Sequence, residues 1–336
     1  MSMEMEKTKR IFSGMRPTGL LHIGHLSVLQ NWAQLQDEYE CYYGVVDWHA
    51  LTTSFDDSQA IQENIRLMLL DWLAVGLDPE KSALFVQSQV KEHGELHLLF
   101  SMITPISWLE RVPTYKDQIL QFGKQGKDIT TYGFLGYPLL MAADILVYLA
   151  NAVPVGEDQV PHIEFTREIA RRFNYLYQTD LFPEPKELLS KVTLLPGVDG
   201  RKMSKSYGND IALSADTREI QEKVRAMITD PARIRKTDAG HPDICMVYKY
   251  QSLYNEDQLP EIREACEKAQ RGCTDCKKIA ADKLNEILVP VKERRAYYET
   301  HPDLLTDILS ESAKKARAKA ALTLEAVRKS MGVSLQ

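Results

Sequence analysis

RIFSGMRPTGLLHIGH, running from Arg10 to His25, is the stretch whose reading decides the fold. It opens apolar at Ile11 and Phe12, passes through Ser13-Gly14, crosses a turn-rich Arg16-Pro17-Thr18-Gly19 and ends in His22-Ile23-Gly24-His25. That order reads as a buried strand, a glycine loop and a helix N-terminus. The first turn of a helix has unpaired N–H groups and a partial positive charge, which suits it to anions. Gly24 has no side chain, so a flat ligand can lie against its backbone. His22 and His25, three apart, share roughly one helix face and can donate hydrogen bonds to phosphate oxygens. An isolated HxxH is more often two ordinary surface histidines. The rest of the chain has to decide.

Strand and helix signals alternate beyond this opening. Residues 10–14 read as the first strand and 22–37 as a helix. CYYGVVDWHALTT (41–53) reads as a buried strand ending near Asp47, and 58–76 as an amphipathic helix capped by Gly76. Residues 82–88 follow as a third strand, and 95–111 as a helix interrupted at Pro105. The Lys-, Gln- and Gly-rich 113–128 reads as a mobile loop or irregular helix. YPLLMAADILVYLA (137–150) is apolar enough to be a buried helix. A short strand at 152–155, an amphipathic helix at 161–177 and a last strand at 191–195 complete the series. This alternation predicts an α/β fold with a doubly wound parallel sheet. Ligands bind such sheets beyond the carboxyl ends of the strands, where the opening loop, Asp47 and Gly156 fall. After about residue 210 helix patterns dominate, which predicts a change of domain: 1–206, then an all-α 207–336.

The 336 residues are 44% hydrophobic and 26% charged, as expected of a soluble globular protein. No apolar run approaches the roughly 18 residues of a membrane span, and MSMEMEKTKR lacks a secretory core, so the expectation is a cytoplasmic protein without a membrane partner. The net charge of −6 means that a nucleic-acid partner needs local basic patches. Residues 311–330, with six Lys/Arg and two Glu, are either such a patch or a solvated helix face. Cys41 stands alone, whereas Cys245, Cys266, Cys273 and Cys276 are separated by 20, 6 and 2 residues. In a cytoplasmic protein that cluster points to metal before disulfides, with Zn²⁺ and an iron–sulfur cluster both suited to thiolates.

A second motif lies in the loop Pro196–Asn209, where glycines bracket Arg201-Lys202-Met203-Ser204-Lys205-Ser206. Physically it is a flexible cationic loop able to fold over a triphosphate. The paired strings HIGH and KMSKS, in this order and about 180 residues apart, resemble the class I aminoacyl-tRNA synthetases, which carry both on a Rossmann-type domain. VDWHALTT (46–53), YPLLMAAD (137–144) and VPVGEDQVPHIEFTREIARRFN (153–174) look like the tryptophanyl-tRNA synthetases in particular. The likeness covers nearly the whole chain.

The residues allow a specificity argument beside the resemblance. Tyr137, Met141 and Asp144 fall at i, i+4 and i+7 on one face of a buried helix. An indole N–H only donates, so one carboxylate acceptor, Asp144, is enough, and Met141 offers a soft wall. Phe12, Val153 and Val155 are further candidate walls.

The resemblance implies activation of L-tryptophan by ATP with Mg²⁺ and transfer to tRNA(Trp) by a homodimer. It places His22, His25, Lys202 and Lys205 on the phosphates and Gly24 against the adenine or ribose. Arg16, Pro17, Thr18, Lys116, Met203, Ser204 and Ser206 join the ATP site. Gly156, Glu157, Asp158 and Gln159 face the ribose and the substrate amino group, with Gln159 on the tryptophan side. It also implies a [4Fe–4S] cluster on the four clustered cysteines, in a helical domain near the anticodon.

Overall fold

In the computed structural model, residues 9–189 and 195–334 are described. Five strands form one parallel sheet in the order β3-β2-β1-β4-β5. They are β1 (Arg10–Met15), β2 (Glu40–Val45), β3 (Ser82–Val86), β4 (Ala152–Val155) and β5 (Lys186–Leu189). The strand order reverses between β1 and β4, where Ile11 pairs with Ala152. That is the switch point expected of a doubly wound sheet. The fold class is as predicted, and the fifth strand described precedes the expected 191–195, of which all but Leu195 lies outside the described residues.

Helices α1 (Leu26–Leu35), α2 (Asp47–Ser54) and α3 (Ile61–Val75) occupy the first half, α3 ending on left-handed Gly76. α4 (Glu92–Ser101), α5 (Ile106–Glu110), α6 (Pro113–Gly123), α7 (Tyr132–Leu135) and α8 (Tyr137–Leu146) separate β3 from β4. α9 (Val160–Leu176) links β4 to β5. Then come α10 (Thr217–Ala226), α11 (Met246–Tyr254), α12 (Leu259–Glu267), α13 (Cys273–Glu299) and α14 (Pro302–Ser330).

Period-two alternation splits the strands' side chains between two cores. Ile11, Tyr43 and Leu84 point to one face, packed with α1 and α3 and continuous with buried residues of α10, α11 and α13. Phe12, Tyr42, Ala83 and Phe85 point to the other, with α4, α8, α9 and α14. The helical half therefore shares its cores with the sheet: α13 lies along α3, and α14 returns across β3. No helix among the described residues is long and apolar enough to cross a membrane.

The strand read as ending near Asp47 ends at Val45, and Asp47 opens α2. Its carboxylate takes the backbone N–H groups of Trp48 (3.1 Å) and Ser88 (3.0 Å), a strut between loops. The segment read as a mobile loop or irregular helix holds the regular helix α6, which packs Tyr115, Ile119 and Phe122 partly buried against Ile129, Phe134 and Tyr137.

Candidate active site

The first strand ends in a turn built for close approach. Gly19 has φ +104°, and a Cβ there would stand 2.7 Å from the Lys205 Nζ. Lys205 reaches across from the cationic loop and donates to the Thr18 carbonyl at 3.2 Å. The two motifs thus meet in space across 187 residues. A Cβ on Gly24 would lie 3.0 Å from the His22 ring and 3.5 Å from the Met203 sulfur, so the glycine leaves room for both.

His22 and His25 face one another with ring centroids 3.9 Å apart. Burial, then the Lys205 charge, pushes His22 down to about 4; burial, then His22, pushes His25 down to about 3. Both are neutral at pH 7. The His25 Nδ1 accepts the His22 backbone N–H at 3.2 Å, so the ring proton is on Nε2 and that edge is a donor. The His22 Nδ1 is buried and has no partner among the described residues. An acceptor with oxygens, brought between these rings and Lys205, meets donors already in place.

The cationic loop hangs on Asn209, which is 2% exposed. Its amide donates to Asp199 (2.7 Å) and the Lys202 carbonyl (3.1 Å) and accepts from the Ser204 N–H (2.8 Å). Lys202 is exposed and Met203 buried, and Ser206 follows in the same short turn. Arg16 and Thr18 are exposed beside buried Pro17. Gly156, Glu157 and Asp158 are exposed past β4, where a Cβ on Gly156 would strike the Asp158 carboxylate at 2.7 Å. Gln159 donates to that carboxylate at 2.6 Å. Lys116 stands exposed on α6, with no described contact to either motif.

Asp144, 1% exposed on α8, is the centre of a polar network in an apolar wall. Gln87 donates to both its oxygens at 2.8 Å, His93 lies 2.7 Å from Oδ1 and His49 lies 3.0 Å from Oδ2. His93 continues to the Tyr148 hydroxyl at 2.7 Å. Burial works against the charge, but His93 and His49 outweigh it and hold the carboxyl at about 2. Of these partners only His49 has any exposed side chain, 11%. Phe12 and Val153 are buried in the same cluster, with Met141 and Val155 packed against it. Tyr137 bonds Thr114 at 2.5 Å, and Thr114 in turn bonds His162 at 3.0 Å. His49, Gln87 and His93 escaped the sequence reading because they arrive from 95, 57 and 51 residues away.

Cys245, Cys266, Cys273 and Cys276 line one cavity with Arg233 and Arg271. Among the described residues no three His, Cys, Asp or Glu groups converge on a single metal ion. The Arg233 Nη1 lies 3.9 Å from the sulfurs of Cys266 and Cys273, and the Arg233 Nε and Arg271 Nη1 are buried without partners. A Cβ on Gly240 would reach 2.4 Å from the Cys266 sulfur. The cavity thus has two cations with unused donors and a wall that a side chain would fill. Burial pushes Cys276 up to about 11, so without a metal it is an inert thiol.

A family model described as tRNA synthetases class I (W and Y) matches residues 3–289. The chain is 53% identical over 328 residues to the tryptophan–tRNA ligase of Thermotoga maritima, covering 96% of this chain and 99% of that one. The tryptophan–tRNA ligase of Aquifex aeolicus is 44% identical, with coverages of 96% and 100%. Among solved structures, tryptophanyl-tRNA synthetase from Campylobacter jejuni complexed with ADP and tryptophan superposes with a TM-score of 0.85 at 30% identity, covering 96% and 99%.

Proposed function

The chain belongs to the tRNA synthetases class I (W and Y), and on that premise we propose that it is a cytoplasmic tryptophan–tRNA ligase. It joins L-tryptophan to ATP as tryptophanyl-adenylate, releasing pyrophosphate, and passes the acyl group to tRNA(Trp). The observation that carries the reading is the meeting of Lys205 with the Thr18 carbonyl above two neutral histidines.

The amino-acid carboxylate is ionised at neutral pH and needs no base to attack the α-phosphorus. Its oxygen forms the new bond to phosphorus while the bond to the bridging oxygen of pyrophosphate breaks. Catalysis is then placement and charge stabilisation. The His25 Nε2–H and the His22 ring serve the α-phosphate, and Lys202, Ser204, Lys205 and Ser206 the departing pyrophosphate, beside Arg16, Pro17 and Thr18. Mg²⁺ bound with the nucleotide would neutralise part of the phosphate charge, beside the loop lysines. Gly24 lies under the nucleoside, Gly156 and Glu157 or Asp158 take the ribose or the ammonium group, and Lys116 reaches ATP from α6.

Asp144 accepts the indole N–H. Its oxygens already meet Gln87, His93 and His49, and His49, the partner with an exposed edge, is the one that yields. Tyr137, Met141, Val153, Val155, Gln159 and Phe12 enclose the ring and the amino group. An indole N–H only donates, so one carboxylate acceptor completes its needs, whereas a phenol hydroxyl also seeks a donor.

Residues 207–336 form the anticodon-binding part. Cys245, Cys266, Cys273 and Cys276 would hold a [4Fe–4S] cluster there, with Arg233 and Arg271 as counter-ions. Such a cluster supplies structural bracing rather than redox chemistry, since neither step transfers electrons. The apolar side chains of Leu98, Met102, Ile106 and Leu120, each more than half exposed on α4–α6, support a homodimer through that face.

The test is amino-acid-dependent ATP–pyrophosphate exchange. Exchange stimulated by tryptophan and not by tyrosine is the expected result. Exchange indifferent to tryptophan would overturn the reading.

A further inference from the structure

The N–H and carbonyl of His22 close a local turn with His25. Its two neighbours are tied to distant parts of the chain as well, although the Ile23 carbonyl also takes the Leu26 N–H. The Leu21 carbonyl accepts from the Leu213 N–H and the Ile23 N–H donates to the Ile211 carbonyl, both at 2.9 Å. Those are ladder contacts with the segment that follows the cationic loop. The other two come from the helical half or depend on it. The Leu21 N–H donates to Asp71 at 2.9 Å. Asp71 is fully buried on α3 and is held from the other side by Arg295 of α13, itself 5% exposed and anchored to Glu299 at 3.2 Å. The Ile23 carbonyl accepts from the Tyr254 hydroxyl, at the end of α11, at 3.0 Å.

A buried peptide group seeks one partner, and the partner's position fixes where the peptide can sit. A buried carboxylate likewise needs its cation, so Asp71 cannot drift from Arg295. We propose that Tyr254 and the Arg295–Asp71 pair are positioning residues, by which α11 and α13 set the place of His22 in adenylate formation. The inference rests on the reading of His22 as a phosphate contact. It adds a route by which the helical half bears on the nucleotide site. Tyr254 and Arg295 lie outside both signature motifs. They act through the backbone on either side of one imidazole.

The experiment is a double-mutant cycle in ATP–pyrophosphate exchange, with the full-length enzyme. Tyr254→Phe keeps the ring and drops only the hydroxyl. Its kcat/KM for ATP should fall roughly 10- to 100-fold, the range for a misplaced contact, with the KM for tryptophan unchanged. His22→Asn should slow exchange by itself. If Tyr254 acts through His22, the double variant is no slower than His22→Asn alone. Arg295→Lys, which keeps the charge and loses the planar fork, tests the other arm in the same cycle. Hydrogen–deuterium exchange of a peptide spanning residues 20–26 should quicken in both variants before any ligand is added. An ATP dependence within two-fold of wild type in Tyr254→Phe, or losses that multiply with that of His22→Asn, would overturn the proposal. A wild-type rate in His22→Asn would remove the phosphate assignment itself, a different result from an intact His22 effect with no coupling to Tyr254.

Discussion

Replacing Asp144 by Asn keeps the shape of the side chain and removes its charge. The carboxyl is ordinarily near 3.8 and is held at about 2 against burial by His93 and His49. A depressed carboxyl stabilises the fold above its ordinary value and loses that contribution as pH falls toward the lowered one. At neutral pH the contribution is therefore fully present, on the order of 2 kcal/mol. Asn also has one acceptor where the carboxylate had two. It can keep Gln87 with His93, or Gln87 with His49, but not all three. His49 is the partner that can adapt, because a change of ring tautomer turns it into an acceptor for the new amide. That relief puts the total at about 2–4 kcal/mol, or about 3–6 °C in melting temperature for a chain of this length. The indole N–H loses a charged acceptor as well, worth about 1.5–3 kcal/mol. The kcat/KM for tryptophan should then fall roughly 10- to 100-fold, with the KM for ATP unmoved. Calorimetry and exchange kinetics on the same preparation give both numbers. A variant that melts with wild type and binds tryptophan normally would refute the role given to this network.

Lys205→Ala should leave tryptophan binding intact and slow adenylate formation by about 10²-fold or more, read by single-turnover pyrophosphate release. His22 and His25 have pKa values below the free value, so the unfolded chain takes up protons that the fold refuses; stability should decline as pH drops from 6.5 toward 4. His25→Gln should flatten that limb, by up to about 1.4 kcal/mol per pH unit, in urea titrations, with the plateau above pH 6.5 unchanged. Cys276→Ser should abolish both bound iron and visible colour in anaerobically purified protein, while tryptophan-dependent exchange persists; wild-type protein without iron would count against the cluster.

Much of this was legible in one dimension. The doubly wound parallel sheet follows from strand patterns alternating with helical ones, and HIGH and KMSKS are contiguous strings whose chemistry survives without neighbours. The partners of Asp144 were not legible, because a network assembled from β3, α2 and α4 leaves no local pattern. Asn209 was hidden for a different reason: an asparagine after a glycine reads as a turn, and only its three hydrogen bonds show it as the loop's pivot. The basic stretch at 311–330 is partly spent in the structure, where Arg317 and Arg328 pair with Glu92 and Glu95 of α4.

The return of α14 across β3 sets an order of events for the newborn chain. The outermost strand of the sheet receives part of its cover from Ala313, Ala316, Ala320, Leu324 and Val327, more than 200 residues after β3 itself. Until α14 has been made, β3 lacks that share of its cover, while α4, α8 and α9 can already pack on the same face. The face closes only when α14 folds back across it. Loss of α14 would spare both signature motifs and still uncover apolar surface on β3.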